Sequence, residues 1–286
     1  MPYRSVFRPG LFEGQTIIVT GGGSGIGRCT AHELSSLGAH VVLIGRRADK
    51  LAATAAEIVE DGGSVDTVPC DIREEEAVRG TVAIVVERRG RVHGLVNNAG
   101  GQFPAPLEKI SQKGFETVVR TNLTGGFLMA REVYLQSMKA AGGSIVNIAA
   151  DMWMGMPGMG HSGAARAGMV NFTMTAAMEW APAGVRVNAV APGWIASSGM
   201  DAYDPEYAKG FRQLRHAVPL KRLGTEAELS AAVCFLLSEA ASFVTGEWVR
   251  VDGGAPLATV VWPMPEHDQS RPYEGFHRAK LPEVLK

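Results

Sequence analysis

Short β-branched runs alternate with helix-forming stretches along most of the 286 residues, and this alternation constrains the fold more than any other feature. Seven strands are expected, at Thr16–Thr20, His40–Ile44, Val65–Pro69, Gly94–Asn97, Ser144–Ile148, Arg186–Val190 and Glu247–Val251. Helices are expected between them at Arg28–Leu37, Leu51–Glu60, Glu74–Arg89, Gln112–Ala140, Ala164–Trp180 and Glu226–Ser238. The last opens on Thr225-Glu226-Ala227-Glu228, a capping box whose hydroxyl and carboxylate satisfy free amides of the first turn. Runs such as Ile17-Ile18-Val19 and Val41-Val42-Leu43-Ile44 lack the polar alternation of a half-exposed sheet, so helices should cover both faces. The expected class is α/β, a doubly wound seven-stranded parallel sheet.

No composition break divides residues 11–254, which therefore read as one unit. Residues 193–224 form a long connection of mixed polarity, the kind of loop that covers a ligand site. Residues 255–286, with five prolines, read as an irregular tail over a surface or a neighbouring subunit. With 28 basic and 29 acidic side chains, the net charge of −1 gives no footprint for nucleic acid or an anionic membrane. No apolar run approaches the roughly 18 residues of a membrane span, and no secretory leader is visible, so a cytoplasmic setting is expected. Cys29, Cys70 and Cys234 are odd in number and far apart, which argues against disulfides and against a cysteine-held metal.

The 35 glycines concentrate the functional signal. Gly21-Gly22-Gly23-Ser24-Gly25-Ile26-Gly27 follows the first strand and opens the first helix, where backbone amides and the helix dipole can hold a pyrophosphate. The second strand ends Ile44-Gly45-Arg46-Arg47. An acid there would accept bonds from a ribose 2′-hydroxyl, whereas two guanidinium groups match a 2′-phosphate. NADP(H) is therefore the expected cofactor. Asp71, with Ile72 beside it, is placed to meet the adenine, and Asn98, Ala99 and Gly100 close the fourth strand at the same crevice. Pro192, Gly193 and Ile195, at the end of the sixth strand, are further cofactor-binding candidates.

Together these motifs resemble the short-chain dehydrogenase/reductase family. The matching marks are Thr20-Gly21-x-x-x-Gly25-x-Gly27, Asp71, Asn97-Asn98-Ala99-Gly100, Asn122, Pro192-Gly193 and Asp252-Gly253-Gly254, spread over residues 12–254. The resemblance implies a single Rossmann-type domain, a nicotinamide cofactor and a homotetramer. It also implies a Tyr-x-x-x-Lys pair on the helix after the fifth strand, where the ammonium lowers the phenol's pKa for proton transfer. This chain reads His161-Ser162-Gly163-Ala164-Ala165-Arg166 there, with Ser162 at the tyrosine position, Arg166 at the lysine position and Ala150 where a serine is usual.

Arg166 keeps a cation for the nicotinamide ribose, but a lone serine hydroxyl is too weak an acid to replace the phenol. Reduction of a conjugated C=C asks less, namely donors that stabilise the developing enolate oxygen. Ser162 and Arg166 are candidates for this, Asn122 for anchoring a proton-relay water, and Asp151 and His161 for proton transfer. Asn98 to Phe103, Thr121 to Gly125, His161 to Gly168 and Pro265-Glu266-His267-Asp268 are similar to the peroxisomal trans-2-enoyl-CoA reductase branch. The expected substrate is thus an apolar small molecule, with an enoyl-CoA thioester or related enone foremost. The methionines at 152, 154, 156 and 159, with Trp153, would suit an acyl chain. Two alternatives stand beside it: an NAD(P)-dependent dehydrogenase of an apolar alcohol or aldehyde of the citronellol type, and a non-catalytic nucleotide-binding protein.

Overall fold

The strands β1 (Thr16–Thr20), β2 (His40–Gly45), β3 (Ser64–Pro69), β4 (Gly94–Asn97), β5 (Gly143–Ile148), β6 (Val185–Pro192) and β7 (Trp248–Val251) form one sheet. Its order is β3-β2-β1-β4-β5-β6-β7 with every neighbouring pair parallel. The computed structural model describes residues 3–258 and 262–286. Because side chains alternate along a strand, Ile17 and Val19 enter one core layer and Ile18 the other. The first layer joins Leu34 of α1 (Gly25–Ser36), Leu51 and Ile58 of α2 (Ala48–Glu60), and Leu229 and Val233 of a helix near the end of the chain. The second joins Val78, Val82 and Val85 of α3 (Glu75–Arg89) to Met129 and Val133 of the helix after β4. Both faces are covered, as the unbroken apolar strands require.

The helix after β4, α4, is one continuous run: Gln112–Val119, Gly125–Val133 and Lys139–Ala141 joined by π-helical turns at Arg120–Thr124 and Tyr134–Met138. Next comes α5 (Gly160–Trp180), which starts four residues earlier than expected and so takes His161 and Ser162 into its first turn. Likewise α1 starts at Gly25 and not Arg28, because the loop's last glycines are already helical. The final helix, α6 (Glu226–Leu237), carries the expected capping box, with Glu228 N–H donating to Thr225 Oγ1 at 3.2 Å and Thr225 N–H to Glu228 Oε2 at 2.9 Å.

The 193–224 connection is ordered as short pieces: a two-residue parallel ladder of Ile195–Ala196 with Gly224–Thr225, 3-10 turns at Ser198–Ala202 and Phe211–Ala217, and a single helical turn at Pro205–Ala208. The tail runs over the chain's own surface. Phe276 packs with Tyr3, Cys29 and Ala227, and Arg278 pairs with Asp61 at 2.7 Å and Glu60 at 2.9 Å. Its last turn, Glu283–Leu285, brings Val284 and Leu285 against Met200, Ala208 and Phe211, while Val284 N–H donates to Asp201 Oδ1 at 3.2 Å. No helix among the described residues is long and apolar enough to cross a membrane. The three cysteines are free and buried.

Candidate active site

Winding reverses between β1 and β4, and open α/β sheets bind ligands at the carboxyl ends of the strands at such a reversal. Gly21 turns the chain there, its N–H donating to Ile44 O at 2.7 Å, and Gly23 continues the loop into α1. Ser24 is the extended N-cap of α1, yet its side chain makes no capping bond. The first-turn amides of Gly25, Ile26 and Gly27 are left for an external acceptor. Gly25 has φ +55, and a Cβ on it would meet nothing closer than Ser198 Oγ at 3.7 Å and Glu226 Oε1 at 3.8 Å, so the space above the loop is open. Uncapped amides with room beyond them fit a dinucleotide pyrophosphate.

At the far end of this crevice Arg46 and Arg47 are exposed where β2 passes into α2, and neither pairs with a carboxylate among the described residues. Asp71, the candidate adenine contact, is also held within the chain. Its carboxylate is held by Arg73, whose Nε donates at 2.9 and 3.1 Å and Nη2 at 2.5 Å, and these bonds, with lesser help from the Arg46 charge, keep it below the usual carboxylate range. Ile72 has its side chain buried against Gly125 in the core, so what it offers a ligand is its backbone. Asn98 holds strand ends together, Nδ2 donating to Thr20 O at 2.9 Å, while the N–H groups of Asn98 and Ala99 share Thr20 Oγ1 at 3.0 Å.

The chemical end gathers around Gly100. A Cβ there would lie 2.5 Å from Arg166 Nη2 and 3.0 Å from Asn122 Oδ1, so only glycine admits both side chains. Arg166 reaches back along α5 and donates to Ile148 O at the end of β5, leaving Nε without a partner. Burial pulls its pKa down to about 10, which still leaves it a cation at neutral pH. Asn122, raised into place by the π-helical turn, spends both ends on one peptide: Gly101 N–H donates to Oδ1 at 2.9 Å and Nδ2 donates to Gly101 O at 3.0 Å. Through these two bonds the amide fixes the loop carrying Gly100, with one lone pair and one N–H left over.

Ser162, at the position of the family's tyrosine, is committed within the chain. It is fully buried, and its hydroxyl donates to Gln102 Oε1 at 2.6 Å instead of facing a substrate. Gln102 Nε2 in turn donates to Tyr203 Oη at 2.8 Å. Neither Gln102 nor Tyr203 was singled out for the chemistry from sequence. His161 is also fully buried, with Nδ1 accepting from Ser162 N–H at 2.8 Å and its ring edge-on to Phe103 at 4.4 Å.

Asp151 follows β5, its N–H donating to Pro192 O at 2.9 Å. Burial raises its pKa, and the nearby Asp252 carboxylate raises it further against opposition from Arg250. Asp252 lies against Gly193, and its Oδ2 is buried without a partner. Ile195 lines a cavity of about 560 Å³ beside β7 with Trp194, Leu220, Arg250 and Asp252. The methionine loop divides: Met152 and Trp153 pack onto Val170 and Trp248, Met159 is buried, and Met154 stands 79% exposed.

Comparison with known proteins agrees with this geometry. The family model described as Enoyl-(Acyl carrier protein) reductase matches residues 21–256. A probable 2,4-dienoyl-CoA reductase of Bacillus subtilis (strain 168) is 36% identical over 245 residues, covering 85% of this chain and 96% of that protein. A peroxisomal 2,4-dienoyl-CoA reductase of Danio rerio is 37% identical over 265 residues, 90% of this chain and 86% of that one. Among solved structures, a citronellol catabolism dehydrogenase (AtuB) of Pseudomonas aeruginosa PAO1 is 67% identical with a TM-score of 0.81, covering 88% of this chain and 99% of that one. A parallel sheet with a glycine-rich turn at its reversal, an Asn-Ala-Gly loop and the matched family model lead to one assignment: the chain belongs to the short-chain dehydrogenase/reductase family of NAD(P)-dependent oxidoreductases.

Proposed function

We propose that the chain uses NADPH to reduce a C=C bond conjugated to a carbonyl in an apolar acyl substrate, an enoyl or dienoyl thioester or a related enone. One observation carries the reading: the residue at the proton-shuttle position is a serine that is fully buried and already committed to Gln102. Alcohol–ketone exchange needs an acid at the carbinol oxygen. Conjugate reduction needs donors for an enolate and admits a solvent proton at carbon. The dienoyl-CoA reductases among the relatives support this class of reaction. The nicotinamide, when bound, would supply the hydride. Arg166 would hold its ribose and lend positive potential to the reacting oxygen, while Asn122 would keep the Gly100 loop in register.

A second reading, oxidation of an apolar alcohol of the citronellol type, is favoured by the name of the 67%-identical structure. In it Asp151 would act as base, since its raised pKa brings it closer to a proton acceptor's working range. Loss of NADPH absorbance with medium-chain and methyl-branched 2-enoyl thioesters, 2,4-dienoyl thioesters and acyclic enals separates the two. Turnover with conjugated substrates and none with citronellol and NADP+ is expected. The reverse pattern would replace the first reading by the second.

A further inference from the structure

The strongest unassigned feature of the site is the hydrogen-bonded chain Ser162–Gln102–Tyr203. It begins at the position the family gives its proton-shuttling tyrosine and ends on a different tyrosine, carried by the connection over the site. Ser162 Oγ donates to Gln102 Oε1 at 2.6 Å, so the carboxamide's nitrogen faces the other way and donates to Tyr203 Oη at 2.8 Å. Because Tyr203 Oη accepts that bond, its own O–H is left to donate elsewhere. The ring is clamped, stacked on Tyr207 at 5.7 Å and edge-on to Phe211 at 5.3 Å, and Phe211 sits in the cluster that holds Val284 and Leu285 of the tail. Burial keeps the phenol protonated, with the Gln102 bond opposing only in part.

The geometry points to Tyr203 as the hydrogen-bond donor to the substrate's carbonyl oxygen, a catalytic residue supplied by the covering loop in place of the missing helix tyrosine. Ser162 and Gln102 are then positioning residues that aim it. The inference rests on the reading of the chain as a reductase of conjugated C=C bonds. In the step, hydride forms the new C–H bond at the β-carbon and the C=C electron pair moves onto the carbonyl oxygen, where Tyr203 O–H meets it. A solvent proton then completes the α-carbon, so each double bond consumes one NADPH and one proton. The phenol is not consumed, which suits a group that burial keeps protonated.

Two measurements on the full chain test this. Tyr203→Phe keeps the ring contacts and removes only the hydroxyl. It should lower kcat about a hundredfold, as loss of one oxyanion donor does elsewhere, while NADPH affinity stays within about twofold. Fluorotyrosine in place of Tyr203 retains the donor, and its fluorine NMR resonance should move when an apolar α,β-unsaturated aldehyde joins the NADP+ complex. Retained kcat in Tyr203→Phe, or a resonance indifferent to the aldehyde, would overturn the inference. If the wild type reduces no conjugated substrate yet the resonance moves, the functional reading falls and the Tyr203 contact stands.

Discussion

Arg46 sits where a strand's apolar run stops and a helix begins, a corner with no structural demand for a cation. It is exposed and unpaired with any carboxylate of the described chain, yet its charge is felt at Asp71 across the crevice. A dianionic 2′-phosphate between Arg46 and Arg47 would gain charge-assisted bonds that a 2′-hydroxyl cannot. Arg46→Ala should weaken NADPH binding about tenfold to a hundredfold and leave NADH binding unchanged, measured by titration of cofactor fluorescence. Equal wild-type affinities for the two cofactors would sink this. At this scale the sequence showed the chemistry that is local: the glycine turn, the paired arginines, the serine where a tyrosine belongs. It did not show Gln102 and Tyr203 as partners, because they stand 60 residues before and 41 after Ser162 and no periodicity links such positions. Nor could it show that Asn122 spends both polar ends on Gly101, which depends on an extra residue in one helical turn.

Among the elements, the inner strands were the most legible, since burial on both faces leaves a continuous apolar run, whereas the edge strand β3 mixes polar and apolar residues. Helix starts were less so. Glycines that belong to a ligand loop and to a first turn at once carry contradictory local signals, and the loop reading displaced the starts of α1 and α5 by a few residues. The π-helical turns in α4 have no compositional signature at all. At the start of α6, Glu226 illustrates a local signal overruled by packing. An acid at a helix N-terminus is ordinarily favoured by the dipole. Here burial dominates and pushes its pKa up to about 7 from 4.5, against Arg28 and the Ser198 N–H. The folded state thus binds a proton that the unfolded chain has released, so stability is full below about pH 4.5 and declines as the pH rises through 7. Glu226→Gln should remove that decline. Its Tm relative to wild type should rise between about pH 5 and pH 8, equivalent to about 3 kcal/mol at most. A gap that does not change with pH would refute the assignment.

At the scale of the whole molecule, α4 and α5 leave Phe115, Phe127, Leu135 and Met178 exposed, Met178 by 80%, which is more apolar surface than a helix pair facing solvent needs. We expect these helices to pair with those of other copies in a homotetramer. Light scattering should return the mass of four chains, and a monomer at micromolar concentration would count against the pairing. The described part of the tail reaches from Asp61 at the end of α2 to Asp201 in the covering loop. The sheet order has a consequence for how the chain comes into being. β1 can zip to β2 once residue 45 is made, but its other edge is owed to β4, which is not complete until residue 97. A nascent chain emerging N-terminus first therefore carries an open strand edge, unpaired backbone groups around an Ile17-Ile18-Val19 centre, through the synthesis of about fifty residues, a stretch in which it is exposed to mispairing. The dinucleotide crevice lies along that same late seam. A newborn chain thus carries the glycine turn and Arg46–Arg47 well before Gly100, Asn122 and Arg166, so the site is complete only when the two halves meet, and a nucleotide spanning it would clasp a join already made.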